Sequence, residues 1–309
     1  MMSKKIIQGL IAAPFTPMHS DGSLHVELIP NYYSLLQKNG VNGVFICGTN
    51  GEGISLTINE KKAVAEAWAA CTVDDASFTV LQLVGGNSIE ESKELAIHAQ
   101  SLGLDGIAFI SPNYFKPATI RVLAECCAAV AAAVPEMPFF YYHIPQFTGV
   151  HFSMLDLLRE VHSTIPNFAG IKYSHDDLDD FAACVQFNQQ QFSLFWGRDQ
   201  SLLSALKVGA KGGVGSTYNY AAPLYTKMMT AYQGNEIEEA IALQKKSIDI
   251  VEILSRFGGL ATGKSFMRII GLDCGEFRLP VKNMTPLQFI QFKEEIDKME
   301  LHSFFNQYE

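Results

Sequence analysis

Eight short apolar runs, each followed by a longer amphipathic stretch, constrain this chain more than anything else in it. The runs occupy 10–15, 44–47, 78–84, 106–110, 138–142, 168–173, 193–196 and 212–215, and the stretches between them include 59–71, 88–102, 119–134, 153–161, 176–189 and 201–208. In 88–102, Ile89, Leu95, Ala96, Ala99 and Leu102 fall on one helical face, while Glu90, Glu91, Lys93 and Glu94 fall mostly on the other. The runs lack the polar alternation of a sheet with one wet face, so they predict parallel strands covered by helices. Eight such units in about 215 residues fit a (β/α)8 barrel better than a doubly wound sheet. From Tyr220 onward only helical patterns follow, over 223–232, 237–257, 263–270 and 286–299. The expected α/β organisation is a (β/α)8 TIM barrel over 1–233 and a C-terminal helical extension over 234–309, packed beside the barrel as one structural unit.

Composition narrows the function classes. Of the 309 residues 48% are hydrophobic and 18% charged, which supplies a large core and excludes a disordered chain. The net charge of -9 comes without a basic cluster, so no nucleic-acid partner is expected. The longest apolar run, 126–134, falls far short of a bilayer span, and no membrane partner is expected. Gln8, Gly9 and Pro14 break up the N-terminal segment where an export signal needs an apolar stretch. The 6 cysteines form no C-x-x-C pair and no framework spacing, which predicts reduced thiols in a cytoplasmic protein and no zinc site.

Barrel enzymes carry their chemistry at the C-terminal ends of the strands. That rule gathers Gly48-Thr49-Asn50-Gly51-Glu52, Pro112-Asn113-Tyr114, Tyr142, Lys172, Gly197-Arg198-Asp199-Gln200 and Ser216-Thr217 around one basin. Lys172 ends the run Phe168-Ala169-Gly170-Ile171, and an amine held there is disfavoured as ammonium. A neutral lysine attacks carbonyl carbon, although a strand-end lysine whose head snorkels to water gives the same pattern. The turn Gly48 to Gly53 offers a hydroxyl, an amide and backbone N–H groups to a carboxylate, and it also reads as an ordinary strand-to-helix turn. Tyr142 is a proton-relay candidate or a packing residue, with Tyr141 on the opposite face. His143 and His151 read as structural.

The segment Gly258-Gly259-Leu260-Ala261-Thr262-Gly263-Lys264-Ser265 matches the phosphate-loop pattern G-x-x-x-x-G-K-[ST]. It follows a helical stretch rather than a buried strand, and too few residues come after it to build a nucleotide-binding sheet. The expectation is a helix ending at Gly258-Gly259 and another beginning near Thr262.

Taken together, Gly48-Thr49-Asn50-Gly51-Glu52-Gly53, Tyr141-Tyr142-His143-Ile144-Pro145, Gly170-Ile171-Lys172 and Gly215-Ser216-Thr217-Tyr218-Asn219 resemble the sialic acid aldolase branch of the dihydrodipicolinate synthase family of class I aldolases, particularly its animal-type members. The resemblance runs from Gly9-Leu10-Ile11-Ala12-Ala13 to the C-terminal helices. It implies that Lys172 forms a Schiff base, that Tyr142 shuttles protons while held by Thr49, and that Thr49 and Asn50 hold the substrate carboxylate. It further implies that Ser174 lies near the scissile bond and that Gly197, Asp199, Gln200 and Ser216 line the polyol tail. Tyr114 matches a tyrosine that family members insert into a neighbouring subunit's site, which implies a homotetramer. The implied substrate is a small molecule, cleaved to pyruvate and N-acetylmannosamine, and no metal or organic cofactor is implied.

Three positions depart from the family pattern: Asn50 stands for a threonine, Gln200 for a glutamate, and Arg198 is unusual. An amide donates as well as accepts, so Gln200 changes the contacts open to a sugar tail. Phe147 stands where dihydrodipicolinate synthases bind a second carboxylate with arginine, which disfavours lysine biosynthesis. Two alternatives stay open at this level: an aldolase acting on another 2-keto-3-deoxy sugar acid, and a non-catalytic 2-keto acid binding protein on the same scaffold.

Overall fold

The computed structural model describes residues 6–187 and 191–308. Its eight strands, β1 (Gly9–Ala12), β2 (Gly43–Ile46), β3 (Thr79–Leu83), β4 (Gly106–Ile110), β5 (Phe139–His143), β6 (Phe168–Tyr173), β7 (Ser193–Trp196) and β8 (Gly212–Gly215), close into a parallel barrel in chain order. The ring is sealed where Gly9 to Ala12 of β1 pair with Gly212 to Gly215 of β8. Around it run α1 (Ile29–Lys38), α2 (Ile58–Thr72), α3 (Ile89–Ser101), α4 (Ile120–Ala131), the single turn α5 (Pro145–Thr148), α6 (Met154–Val161), α7 (Leu178–Gln186), α8 (Leu202–Lys207) and α9 (Tyr218–Gln233). Three helices follow, α10 (Ile237–Arg256), α11 (Leu260–Ile269) and α12 (Pro286–Lys298). The (β/α)8 barrel with C-terminal helices is therefore as expected, and each strand begins within one residue of its apolar run.

Helix starts follow local chemistry. Thr57 and Glu60 form a reciprocal cap on α2, as do Thr285 and Gln288 on α12. Ser88, Thr119, Ser153 and Asp177 cap α3, α4, α6 and α7 through their side-chain oxygens. The helix expected over 176–189 is seen as Leu178–Gln186, and its last expected residues lie outside the described ones. Two helices begin two or more residues earlier than expected. α9 starts at Tyr218 and continues past Pro223 through a kink at Ala221, and α11 starts at Leu260 rather than near Thr262.

Two apolar layers share the strands. Ile11, Phe45, Leu81, Leu83, Phe140, Tyr142, Phe195 and Val214 fill the barrel interior, while Val80, Phe109, Tyr141, Ile171 and Tyr173 face the helices. The expected opposition of Tyr141 and Tyr142 is thus observed.

Strand β6 breaks the alternation at one place. Phe139 pairs with Phe168, but Phe140 pairs with Gly170, leaving Ala169 as an extra residue. Phe168 faces the helices and Ala169 the interior, yet Ile171 again faces the helices and Lys172 the interior. Strict alternation from Phe168 would send Lys172 outward. The bulge turns it inward, a re-aiming that bulges beside functional sites commonly perform. Gly170 makes the local geometry tolerable, because a Cβ there would stand 2.0 Å from the Ser193 carbonyl oxygen.

Candidate active site

The strands deliver the predicted residues to a cavity of about 310 Å³ at the C-terminal end of the barrel. Ala13, Thr49, Asn50, Tyr142, Lys172, Ser174, Gly197, Asp199, Gln200 and Ser216 all line it. Tyr114 does not: it is 79% exposed and packs edge-on against Phe115, which is equally open to solvent. His143 is buried on the helix side of β5 against Tyr173 and His175, and neither it nor His151 reaches the cavity.

Lys172 is only 4% exposed. Its Nζ stands 3.9 Å from the ring centroid of Phe45 and 4.1 Å from that of Tyr142. Burial among these rings pulls the amine down to about 7, and the Asp199 carboxylate opposes the shift only in part. The amine is therefore available as free base near neutrality. Phe45 carried no signal in the sequence beyond its hydrophobicity, yet it forms part of the apolar seat that depresses this lysine.

Tyr142 Oη lies 3.3 Å from Thr49 Oγ1. Burial raises the phenol above its ordinary value, while hydrogen bonds with Thr49 and Ser174 draw it back. The phenol stays protonated at rest and has hydroxyl partners through which a proton can pass. Thr49 sits in a turn bracketed by two non-glycine residues in the left-handed region, Cys47 at φ 55° and Glu52 at φ 56°. Each such residue costs about 1–3 kcal/mol and persists only where its surroundings over-determine it. Gly53 allows the turn to fold on itself, since a Cβ there would lie 1.7 Å from the Cys47 carbonyl oxygen. Asn50, in place of the family's threonine, lines the cavity while donating through Nδ2 to the Ala13 carbonyl at 3.0 Å.

Asp199 is buried, and one carboxylate oxygen accepts three hydrogen bonds: from Thr217 N at 2.9 Å, Thr217 Oγ1 at 2.7 Å and Ser216 Oγ at 3.2 Å. The other oxygen, Oδ1, has no hydrogen-bond partner among the described residues. Burial raises this carboxyl above the ordinary range despite the three donors. Gln200 is half-buried at the rim, and Arg198 pairs with Asp176. Gly197 presses on Ser174, where a Cβ would come within 2.0 Å of its hydroxyl oxygen.

The C-terminal helices do more than pack beside the barrel. Val251, Leu254 and Ser255 of α10 and Gly259, Leu260 and Gly263 at the start of α11 form part of the cavity wall. Sequence periodicity marks Val251, Leu254, Ser255 and Gly263 as helical and leaves Gly259 and Leu260 between helices, and it gives no sign that any of them borders a site. The phosphate-loop lookalike is dismantled by the same helices. Gly258 and Gly259, at φ 117° and 67°, end α10, and the Lys264 side chain is buried against Glu52 instead of open to a phosphate. Among the described residues the one His/Cys/Asp/Glu group with metal-like spacing is His19, His25 and Glu27, none of which lines the cavity.

Known proteins resemble this chain in sequence and in fold. The Dihydrodipicolinate synthetase family profile matches residues 6–298. An N-acetylneuraminate lyase of Pongo abelii is 41% identical over 283 residues, covering 90% of this chain and 88% of that one. Among solved structures, a Proteus mirabilis N-acetylneuraminate lyase superposes with a TM-score of 0.92 at 33% identity, over 96% of this chain and 99% of the other. An N-acetylneuraminate lyase (sialic acid aldolase) of Aliivibrio salmonicida gives a TM-score of 0.92 at 35% identity, over 96% and 98%. With a profile match across nearly the whole chain and relatives this similar from end to end, the chain belongs to the dihydrodipicolinate synthetase family.

Proposed function

We propose that this chain is a class I aldolase that cleaves N-acetylneuraminate to N-acetylmannosamine and pyruvate through an iminium on Lys172. The observation that carries the reading is the buried amine itself: 4% exposed, pulled down to about 7, and seated against the ring of Tyr142. The names of the similar proteins support the choice of substrate.

The neutral amine adds to the C2 ketone of the open-chain sugar acid, and loss of water gives the iminium. Removal of the C4 hydroxyl proton, relayed by Tyr142, makes C4 an aldehyde carbon while the C3–C4 bonding pair flows toward the iminium. N-acetylmannosamine leaves, the enamine takes a proton at C3, and water at C2 releases pyruvate and the amine. Lys172 supplies the electron sink, so the cleavage requires no metal or organic cofactor. Thr49 and Asn50 hold the carboxylate and so orient the ketone beside the amine, which removes much of the entropic barrier. Ser174 sits near the breaking bond, and Gly197, Asp199, Gln200 and Ser216 meet the polyol tail.

The exposed Tyr114–Phe115 pair supports assembly into a homotetramer in which Tyr114 completes a neighbouring subunit's site. The free cysteines support a cytoplasmic setting. Borohydride reduction in the presence of pyruvate tests the central assignment. It is expected to fix a three-carbon adduct on Lys172, and a protein left unmodified under saturating pyruvate refutes the aldolase reading.

A further inference from the structure

The lysine of the 258–265 motif is free of any phosphate role, and its surroundings point elsewhere. Lys264 is 1% exposed, and its Nζ donates to Glu52 Oε1 at 3.1 Å and to the Glu276 carbonyl at 2.9 Å. The other oxygen of the same carboxylate accepts from Arg278 N at 2.9 Å. The Arg278 guanidinium then bonds both oxygens of Glu60, at 2.5 and 3.0 Å, and the Gly22 carbonyl at 2.8 Å. Both oxygens of Glu52 are thus fixed by α11 and the segment behind it.

Glu52 is also the left-handed residue that closes the glycine-rich turn. Its N–H donates to the Thr49 carbonyl at 3.2 Å, and its own carbonyl accepts from Leu56 N at 3.1 Å. A side chain in this backbone region holds only if its surroundings leave it no alternative. A carboxylate taken out of water holds its charge only if paired. The same two residues meet both requirements.

We propose that Lys264 is a positioning residue: with Arg278 it locks Glu52 in its left-handed conformation and thereby sets Thr49 and Asn50 in place for Tyr142 and for a substrate carboxylate. This rests on the aldolase reading above, which assigns the carboxylate to that turn. The loss of Lys264 therefore acts on substrate binding without a direct contact to substrate.

Lys264→Met keeps the apolar stem and removes the charge. Amide hydrogen exchange is followed in peptides covering 48–56 and 79–84, and the pyruvate concentration for half-maximal borohydride trapping on Lys172 is measured on the same protein. Exchange over 48–56 is expected to rise at least tenfold while 79–84 stays unchanged. The half-trapping concentration is expected to rise at least tenfold, and Lys264→Arg to recover most of both. Met267→Ala opens a cavity on the same helix without removing any of these hydrogen bonds. It is expected to lower the melting temperature and leave half-trapping within twofold. If Lys264→Met does not fold, Glu52→Gln carries the same expectations. Unchanged exchange over 48–56, or an equal rise in half-trapping from Met267→Ala, overturns the proposal. Failure of the parent protein to be trapped overturns the aldolase reading instead, while hydrogen exchange still decides whether Lys264 anchors the turn.

Discussion

Tyr142 and Lys172 are cross-strand partners on β5 and β6, so phenol and amine enter the barrel side by side, with Nζ 4.1 Å from the phenol ring centroid. Two side chains placed by neighbouring backbones need no loop rearrangement to meet.

Lys172→Ala is expected to abolish cleavage and pyruvate trapping while leaving the barrel folded. Circular dichroism and turnover on N-acetylneuraminate check this, and substantial residual lyase activity in the variant refutes the assignment.

Tyr142→Phe keeps the ring that seats the amine and removes the relay. Turnover is expected to fall by about 10²–10⁴, the range of general acid–base contributions. Trapping of pyruvate should persist, because amine attack on the ketone does not need the C4 proton. A variant that loses trapping and turnover in equal measure shows that the phenol acts earlier.

The depressed amine makes two pH predictions. Schiff-base formation should rise with pH through about 7 and level off above it, as the folded protein loses the inhibiting proton. Stability follows from linkage. The folded amine titrates near 7 and the unfolded one near 10.5, so between these values the unfolded chain binds more protons and stability rises with pH. The burial penalty is full below 7. Lys172→Met should therefore stabilise the protein most at pH 6, by up to about 5 kcal/mol for a shift of this size. The gain should shrink as pH rises toward 10.5, and denaturant melts at pH 6 and pH 9 measure it. A gain that grows with pH contradicts the burial argument.

Gln200→Glu should change the KM for N-acetylneuraminate about two- to tenfold, the scale of one hydrogen bond at a rim, with turnover nearly constant. A substrate analogue lacking the glycerol tail should respond little. Equal effects on both compounds show that Gln200 does not face the tail.

Much of this architecture was legible because parallel barrels bury every strand. The apolar runs ending at Lys172 and Tyr142 announce strands whose tips converge, and the same logic places Thr49, Asp199 and Ser216 at one rim. Features that depend on three-dimensional packing were not legible. The first crossover helix, α1, is not among the segments singled out above, although its buried Ile29, Tyr32, Leu35 and Leu36 share one face and Pro30 stands in its first turn, where proline is tolerated. α9 runs through Pro223 because the backbone bends at Ala221. Phe45 looks like any strand phenylalanine until the amine is seen above it, and α10 and α11 look like outer packing until the cavity wall is traced. Lys264 matched a phosphate motif in its letters, while its partner lies 212 residues away in sequence.

The extra residue in β6 carries a consequence for anyone aligning or engineering proteins of this kind. The direction of the amine depends on the bulge absorbing the one residue that β6 carries in excess of β5 between Phe168 and Lys172. Substitutions at Ala169 that fit the interior should leave the amine in place, and deleting that one residue should give a regular ladder with Lys172 still opposite Tyr142, whereas a strand that kept the extra residue without the bulge would turn the amine toward the outer helices.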